Sequence, residues 1–507
     1  MIETFNLKNK YPVSVCLAEG ILAGLCLGMG FVIPILWPLG LGGIILCLDL
    51  IKRNPNFYKV FFFVLVVWFI KSAVALSFFL ATYPITWTGL QNPLWQIIAI
   101  TFYWLTGSLW LGLGGLVFVG LVLVTKKKYF YPSWLWVVSL PLFWLLGELA
   151  GAWFFSFFTS GPDSLLQTYF SIGMVGYLLA NSSFGILMAG LAGVYGLTII
   201  FVFLAATTIE LFYKNKKSLF FILPTLLIIF YSNWNYFISK TVLNEKPITI
   251  FSINTKFDSS FLGKYGGQEE KHQTINKAVE KGLTYNPDYI LLPEDSRYLN
   301  YNYSGIYSQV VMSHFQFTHP GTKTILIDSG RVDKEDGTAI LRANIFDSRS
   351  GKLYLFDKQY LVPQGEFLPY FYGGVLRLFG LGKAVDNLSH KISYRRGPLL
   401  QTADIPDYLP GILFCFESIR PDGVRSLVKE RKMPFVAHPI SHAWFHSSKI
   451  LWQQQDMMLR IQARWQGVPI VSAGNMMQGK LYLPSGQIDN GEVIENGDGW
   501  NITRFEF

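Results

Sequence analysis

Apolar residues occur in two textures along the chain. Up to about residue 240 they form long blocks with few charges, and residues 72–125 include no charged side chain. A bilayer-spanning helix needs about 20 apolar residues. That stretch must therefore hold the end of one span, a turn and another span. The blocks predict seven spans, near 13–31, 34–51, 60–82, 93–124, 134–157, 180–209 and 218–237. The breaks fall at Pro84 and around 89–93, and the fourth and sixth runs are long enough to hide a kink or a re-entrant piece. From Pro247 onward the apolar runs become short and β-rich, at 248–253, 289–292, 324–327, 339–346, 353–356, 412–416, 434–437 and 469–472. Helical stretches lie between some of them, notably 269–282 and 449–466. This predicts a polytopic α-helical membrane domain over 1–240, followed by one α/β or mixed-sheet domain over 246–507.

Composition narrows the class. Of 507 residues, 51% are hydrophobic and 15% charged, and the mean hydropathy is +0.33. Soluble domains carry about 25% charged residues, so an ordinary cytosolic enzyme, a disordered chain and a coiled coil are excluded. An aromatic content of 16% suits membrane spans with interfacial belts. The net charge of +9 would suggest nucleic acid in a soluble protein. Here the cations cluster beside apolar blocks: Lys8 and Lys10, Lys52 and Arg53, Lys126 to Lys128, and Lys214 with Lys216 and Lys217. If the spans alternate, all four clusters share one side, which the positive-inside rule makes the cytoplasm. An odd seventh span then delivers the polar half outside, and no nucleic-acid partner is expected. A second apolar block follows the first at once, so the first is read as a span rather than a cleaved signal. Cys16, Cys26 and Cys47 sit in apolar blocks and Cys415 is alone in the polar half. No disulfide within that half and no zinc site is expected, and no cofactor is implied.

Several residues carry candidate chemistry. Cys415 ends the run Gly-Ile-Leu-Phe-Cys-Phe-Glu-Ser at 411–418. A strand that delivers a cysteine to its edge presents a nucleophile, although a lone cysteine is equally a small buried hydrophobe. Glu417 points to the same side if the strand persists. Glu294 ends an apolar strand in Leu-Pro-Glu-Asp-Ser, where partial burial would raise its pKa toward that of a general base; a solvated loop carboxylate is the other reading. Lys358 and Glu366 flank a turn set by Pro363 and Gly365 that could aim both inward, while a lysine after a strand is ordinarily a surface cation. Glu148 and Lys71 lie within spans, where a charge is costly and tends to be functional. Glu148 is read either as a headgroup contact or as a stabiliser of the bundle.

Taken in order, Leu-Pro-Glu294, then Lys358-x-x-Leu-Val-Pro-x-Gly-Glu366, then Phe-Cys415-Phe-Glu417 resembles the Glu–Lys–Cys triad of the nitrilase, or carbon–nitrogen hydrolase, superfamily. With the apolar first half, the arrangement resembles the apolipoprotein N-acyltransferase family. The segment 141–148 in the fifth span, 193–197 in the sixth, Ala443-Trp444-Phe445 and Asn475 extend the likeness over nearly the whole chain. The sequence departs from the family pattern at Gln364, Phe416, Ser441, His442, Gln462, Trp465, Val468 and Ser472, none of them in the triad. The family is also expected to return through the membrane with one more helix beyond the stretch that aligns with this sequence.

The resemblance implies an αββα sandwich on the extracytoplasmic face of a bacterial inner membrane. It implies Cys415 as nucleophile, Glu294 as general base, and Lys358 as oxyanion and thiolate stabiliser. Glu366 would be the supporting carboxylate, and Glu417 would shape the loop at the mouth of the site. Phe416, Trp444 and Glu148 are candidate substrate contacts. The implied partners are the bilayer, a phospholipid acyl donor and a diacylglyceryl lipoprotein acceptor. The apolar segment 375–381 is read as a membrane-dipping lid or an amphipathic core helix. Two other functions share the sequence features: a membrane-anchored amidase that passes the acyl group to water, and a non-catalytic envelope scaffold.

Overall fold

The computed structural model describes residues 12–53, 56–85, 88, 90–128, 133–213, 247–258, 267–302, 308–397, 405–446 and 448–507. The apolar half forms helices α1 (Val13–Val32), α2 (Trp37–Arg53), α3 (Phe57–Ala75), α4 (Pro93–Gly112), α5 (Gly114–Lys128), α6 (Ser133–Phe158) and α7 (Ser183–Phe212). Helices α4 and α5 divide one apolar run, so six segments among the described residues are long and apolar enough to cross a bilayer. The fourth run breaks between Gly112 and Gly114, where α5 meets α6 through bare backbone. A Cβ on Gly114 would lie 2.1 Å from the Gly147 carbonyl oxygen. The sixth run kinks at Gly193, whose φ of 57° lies in the left-handed region. The seventh expected span, 218–237, lies outside the described residues, as do Lys8, Lys10, Lys214, Lys216 and Lys217.

The third span is shorter than the apolar pattern predicts. Helix α3 stops at Ala75 and the chain continues as a 3-10 turn, Ser77–Thr82. Carbonyls near its end are claimed from outside the helix: Trp104 Nε1 donates to Ala73 O at 2.8 Å and Gln454 Nε2 to Ala75 O at 2.7 Å. The turn is thereby freed to line a cleft.

The polar half contains β1 (Thr249–Thr255), α8 (Gln268–Leu283), β2 (Tyr289–Leu291), α9 (Tyr298–Asn302), α10 (Ser308–Thr318), β3 (Ile325–Asp333), β4 (Ala339–Asp347), β5 (Lys352–Asp357), α11 (Tyr370–Leu378) and α12 (Gly382–Lys391). It continues with β6 (Gly411–Ile412), α13 (Gly423–Glu430), β7 (Val436–Ser441), α14 (Lys449–Gln466), β8 (Ile470–Asn475), β9 (Leu481–Tyr482), β10 (Ile488–Asp489), β11 (Glu492–Gly497) and β12 (Trp500–Glu506). The strands form a continuous mixed sheet that is nearly divided in two, because β1 and β8 meet only at Thr255 and Asn475.

Strand alternation explains the layering. Ile250, Leu291, Ile327 and Ala343 from one half share a core with Ala437, Val471 and Ala473 from the other. The opposite faces carry helices: Phe251, Ile253 and Ile290 pack with Ile275 and Val279 of α8, and Val436 and Ile470 with Leu459 and Ala463 of α14. The result is a helix–sheet–sheet–helix sandwich.

Bundle and sandwich share one apolar core, in which Tyr360, Ile419, Met457 and Ile461 pack with Phe170, Leu178 and Val194. Arg460 Nη1 donates to Ala180 O at 2.8 Å, and Trp465 fills the space left by Gly193, where a Cβ would lie 2.4 Å from its ring. Lys52, at the end of α2, pairs with Glu210 near the end of α7 at 2.7 Å. Helix α3 runs from that end of the bundle to Ala75, so the sandwich caps the opposite end.

Candidate active site

Three chain segments converge on one small volume. Glu294 leaves β2 through Leu292 and Pro293. Lys358 follows β5, its N–H bonded to Leu341 O at 2.9 Å. Its Nζ, fully buried, donates to Glu294 Oε1 at 3.1 Å and to Glu366 Oε1 at 2.7 Å. The second oxygen of Glu366 accepts from Val362 N at 2.8 Å, so the tight turn 362–366 folds the carboxylate back onto the lysine. Gly365 is required there: a Cβ would lie 2.4 Å from the Trp444 ring.

Cys415 occupies a turn rather than a strand, which corrects the expected geometry. Strand β6 ends at Ile412, and Cys415–Ile419 is a 3-10 turn. The reason is Glu417, which does not point along a strand. Its buried carboxylate accepts from Phe414 N at 3.1 Å, Gln359 N at 2.7 Å and Tyr360 N at 3.2 Å. It thereby ties the Cys415 turn to the chain leaving Lys358. The Cys415 thiol is oriented toward Ser441 O at 3.7 Å.

Electrostatics follow from one ammonium facing two carboxylates in a buried setting. Burial pushes Glu294 up to about 7, against the opposing pull of Lys358. Burial works against the Lys358 charge, yet Glu294 and Glu366 raise its pKa well above the ordinary lysine value. Burial, followed by the nearby Glu294 charge, pushes the Cys415 thiol up. Beside the site, burial raises the Asp295 carboxyl, but Arg297 and Lys271 hold it below the usual carboxylate range.

The floor of a cleft between bundle and sandwich exposes Glu294, Glu366, Cys415, Ser441 and His442. Its walls are apolar and come from both domains: Phe78, Phe79, Ile100, Phe155, Phe170 and Ile172 from the bundle, Phe416, Trp444 and Phe445 from the sandwich. Of the sequence-predicted residues, Glu294, Lys358, Cys415, Glu366 and Glu417 are therefore brought together, with Phe416 and Trp444 on the wall. Glu148 is not part of the cleft. Its carboxylate accepts from Lys71 Nζ at 3.2 Å, Trp144 Nε1 at 3.2 Å, Val175 N at 2.9 Å and Thr198 Oγ1 at 3.3 Å. The headgroup reading of Glu148 gives way to the bundle-stabilising one. The segment 375–381 is divided: α11 packs on α4 through Tyr372, whose ring lies 4.6 Å from Tyr103, while Leu378 and Phe379 are exposed.

A buried polar relay that sequence reasoning does not assemble lies under the Cys415 turn. His438 Nδ1 donates to Leu413 O at 2.6 Å, and Gln455 Nε2 donates to His438 Nε2 at 3.2 Å and to Ser418 Oγ at 3.0 Å. Gln455 Oε1 in turn accepts from His442 Nε2 at 2.9 Å. Burial pushes His438 down to about 4 and His442 to about 3, so both are neutral. Only His442 stands out in the sequence, as a departure from the family pattern; nothing in the local sequence marks His438 or Gln455. Among the described residues no cluster of three or more His, Cys, Asp or Glu could hold a metal ion.

Known proteins give a consistent picture. No family model matches the chain. An apolipoprotein N-acyltransferase of Campylobacter jejuni is 20% identical over 293 residues, covering 56% of this chain and 58% of that protein. An apolipoprotein N-acyltransferase of Rhodopseudomonas palustris is 29% identical over 136 residues, covering 27% of this chain and 24% of that protein. The matches thus span less than two thirds of either relative. Among solved structures, a carbon–nitrogen hydrolase from Helicobacter pylori G27 aligns at 12% identity and a TM-score of 0.34, over 51% of this chain and 88% of that one. An amidase from Nesterenkonia sp. AN1 aligns at 12% identity and a TM-score of 0.31, over 51% and 90%.

The architecture defines a class: a set of helices, six of their segments among the described residues long and apolar enough to cross a membrane, joined to a helix–sheet–sheet–helix sandwich. At the level of sequence, the chain is similar to these two apolipoprotein N-acyltransferases over part of its length.

Proposed function

We propose that this protein is an acyltransferase moving an acyl chain from a glycerophospholipid to the N-terminal amine of a diacylglyceryl-cysteine lipoprotein. One observation carries the reading: Cys415, Glu294 and Glu366 lie at the polar end of a cleft whose apolar walls come partly from the apolar helices, with the Lys358 ammonium buried behind the two carboxylates. A water-soluble amide needs no such wall, whereas an acyl chain does. The sandwich caps the end of the bundle opposite Lys52 and Arg53, which under the positive-inside rule supports an extracytoplasmic site.

In this reading Glu294 takes the Cys415 proton, and Sγ attacks the ester carbonyl carbon of the lipid. The oxyanion is stabilised by Lys358 Nζ and the Phe416 N–H, a donor of this kind being worth about 3–4 kcal/mol. Collapse breaks the ester C–O bond, and the departing lysophospholipid oxygen takes the proton from Glu294. The acyl group is then held as a Cys415 thioester. The α-amine of the acceptor attacks that carbonyl, Glu294 accepts the amine proton, the C–S bond breaks, and Glu294 returns the proton to the departing sulfur to restore the thiol. Glu366 keeps Lys358 charged and oriented. The aromatic walls at Phe416, Trp444 and Phe445 keep water from the thioester.

Detergent-purified protein is incubated with phosphatidylethanolamine bearing an alkyne-tagged acyl chain, beside a Cys415→Ala control. A hydroxylamine-sensitive label on Cys415 that moves to the amine of a diacylglyceryl-cysteine peptide is the expected result. A label released only to water would replace this reading with the amidase. No label on the parent protein would remove both.

A further inference from the structure

The turn that carries Cys415 makes few bonds of its own: Glu417 N donates to Phe414 O at 2.8 Å and Arg420 N to Glu417 O at 3.2 Å. Its position is therefore set from outside. On the sandwich side, Ser418 Oγ donates to Cys415 O at 2.6 Å and Gln462 Nε2 to Ser418 O at 2.7 Å. Beside these and the Glu417 carboxylate bonds to Gln359 N and Tyr360 N, a further anchor comes from the bundle. Ser171, fully buried between α6 and α7, donates its hydroxyl proton in a short bond to Ile419 O, the last carbonyl of the turn.

That single proton is committed to Ile419, so Tyr177 must be the donor in its 2.9 Å contact with Ser171 Oγ. Both side chains ride on a segment clamped to the interior of the bundle. Lys71 Nζ donates to Gly173 O at 3.1 Å, and Val175 N donates to Glu148 Oε1 at 2.9 Å. The buried Lys71–Glu148 pair thus fixes the backbone on both sides of residue 174. Ser171 carries that fix to the turn.

We propose that Ser171 and Tyr177 are positioning residues for the nucleophile, forming a strut from the intramembrane Lys71–Glu148 pair to the Cys415 turn. The inference rests on Cys415 being the nucleophile, but not on the identity of donor or acceptor. Its physical basis is that a displacement of about 1 Å at a reacting atom can cost on the order of a hundredfold in rate. Without the strut, Sγ drifts from the field of Lys358 and the thiolate forms less readily.

The test needs no lipid substrate. The full chain in detergent is alkylated with iodoacetamide over pH 6–10, and the modified Cys415 peptide is quantified by mass spectrometry beside the thermal midpoint. Ser171→Ala should slow Cys415 alkylation roughly three- to tenfold at pH 8, the effect of one hydrogen bond, and displace the profile to higher pH. Tyr177→Phe should do the same to a smaller degree. Both should keep the midpoint within about 4 °C of the parent. Ser156→Ala is the control: its hydroxyl donates to Leu165 O at 2.9 Å and accepts from Gln167 N at 3.2 Å, holding the same loop without touching the turn. It should leave the profile in place. A Ser171→Ala profile that superimposes on the parent overturns the strut, as does an equal slowing by Ser156→Ala. Cys415 alkylation that Glu294→Gln leaves unchanged overturns the nucleophile reading together with the strut.

Discussion

Two buried lysines, one in each half of the molecule, show how similar contacts serve different ends. Lys71 meets one carboxylate, Glu148, with the Gly173 carbonyl and the Trp68 ring completing its surroundings. The charges balance, and neutral donors fill the remaining sites on Glu148. Lys358 meets two carboxylates, so its surroundings carry one negative charge too many; burial first, with the Glu366 charge adding to it, raises Glu294 to about 7. A balanced buried pair locks a structure. An unbalanced one holds a proton that can be given and taken.

The strongest test of that contrast replaces each lysine by methionine. Lys358→Met should lower acyl labelling of Cys415 by a hundredfold or more, matching about 3–4 kcal/mol for a lost oxyanion donor. The fold should survive, because Glu294 and Glu366 can share the compensating proton. Lys71→Met should instead cost stability, about 3–5 kcal/mol for an orphaned buried charge, read from thermal unfolding in detergent. If both variants lose activity and stability in the same proportion, the two sites are not different in kind.

A second test adjusts the surplus charge. Glu294 must be ionised to accept a proton, so labelling should rise with pH along an acid limb whose midpoint lies near 7. Glu366 raises the Glu294 pKa by like-charge repulsion. Glu366→Gln should therefore move the limb to lower pH, with a lower plateau because Lys358 loses an orienting partner. An unmoved limb would mean that Glu294 does not set it.

A third, smaller effect concerns the neutral relay under the nucleophile. His438 and His442 titrate near 4 and 3 when folded, below the ordinary histidine value of 6.5. Between pH 6.5 and 4 the unfolded chain binds protons that the fold refuses, so stability is full above 6.5 and falls as pH is lowered. The thermal midpoint should drop across that window, and His442→Asn should flatten the slope. A midpoint that rises on acidification would mean that these imidazoles are charged in the fold.

Legibility in the sequence follows the same division. Glu294, Lys358, Glu366 and Cys415 could be read because each lies within a dense motif at the end of an apolar run. The strand leading to Cys415 was expected too long, because Glu417, two residues beyond, takes the Phe414 N–H that a neighbouring strand would otherwise use. The third span was likewise drawn through to 82. In an apolar pattern, nothing separates lipid-facing residues from Phe78 and Phe79, which line the cleft. Ser171, Gln455 and His438 are single polar residues without a motif, and only three-dimensional neighbours give them meaning.

The smallest effect probes the balanced pair itself. Thr198 supplies the longest of the four bonds to Glu148, at 3.3 Å, and accepts from Gly176 N at 3.1 Å. Thr198→Val keeps the shape but removes both bonds, at a cost of about 1–2 kcal/mol, mostly from the stranded Gly176 N–H. Lys71, Trp144 and Val175 would still hold Glu148, so the ion pair should persist. The thermal midpoint should fall by a few degrees while the acid limb of Cys415 labelling stays where it is. The limb depends on charge near Glu294, and Thr198→Val changes no charge. A limb that moves with this variant would show that the bundle tunes the protonation of the site, and the division between a locking pair and a reactive one would fail.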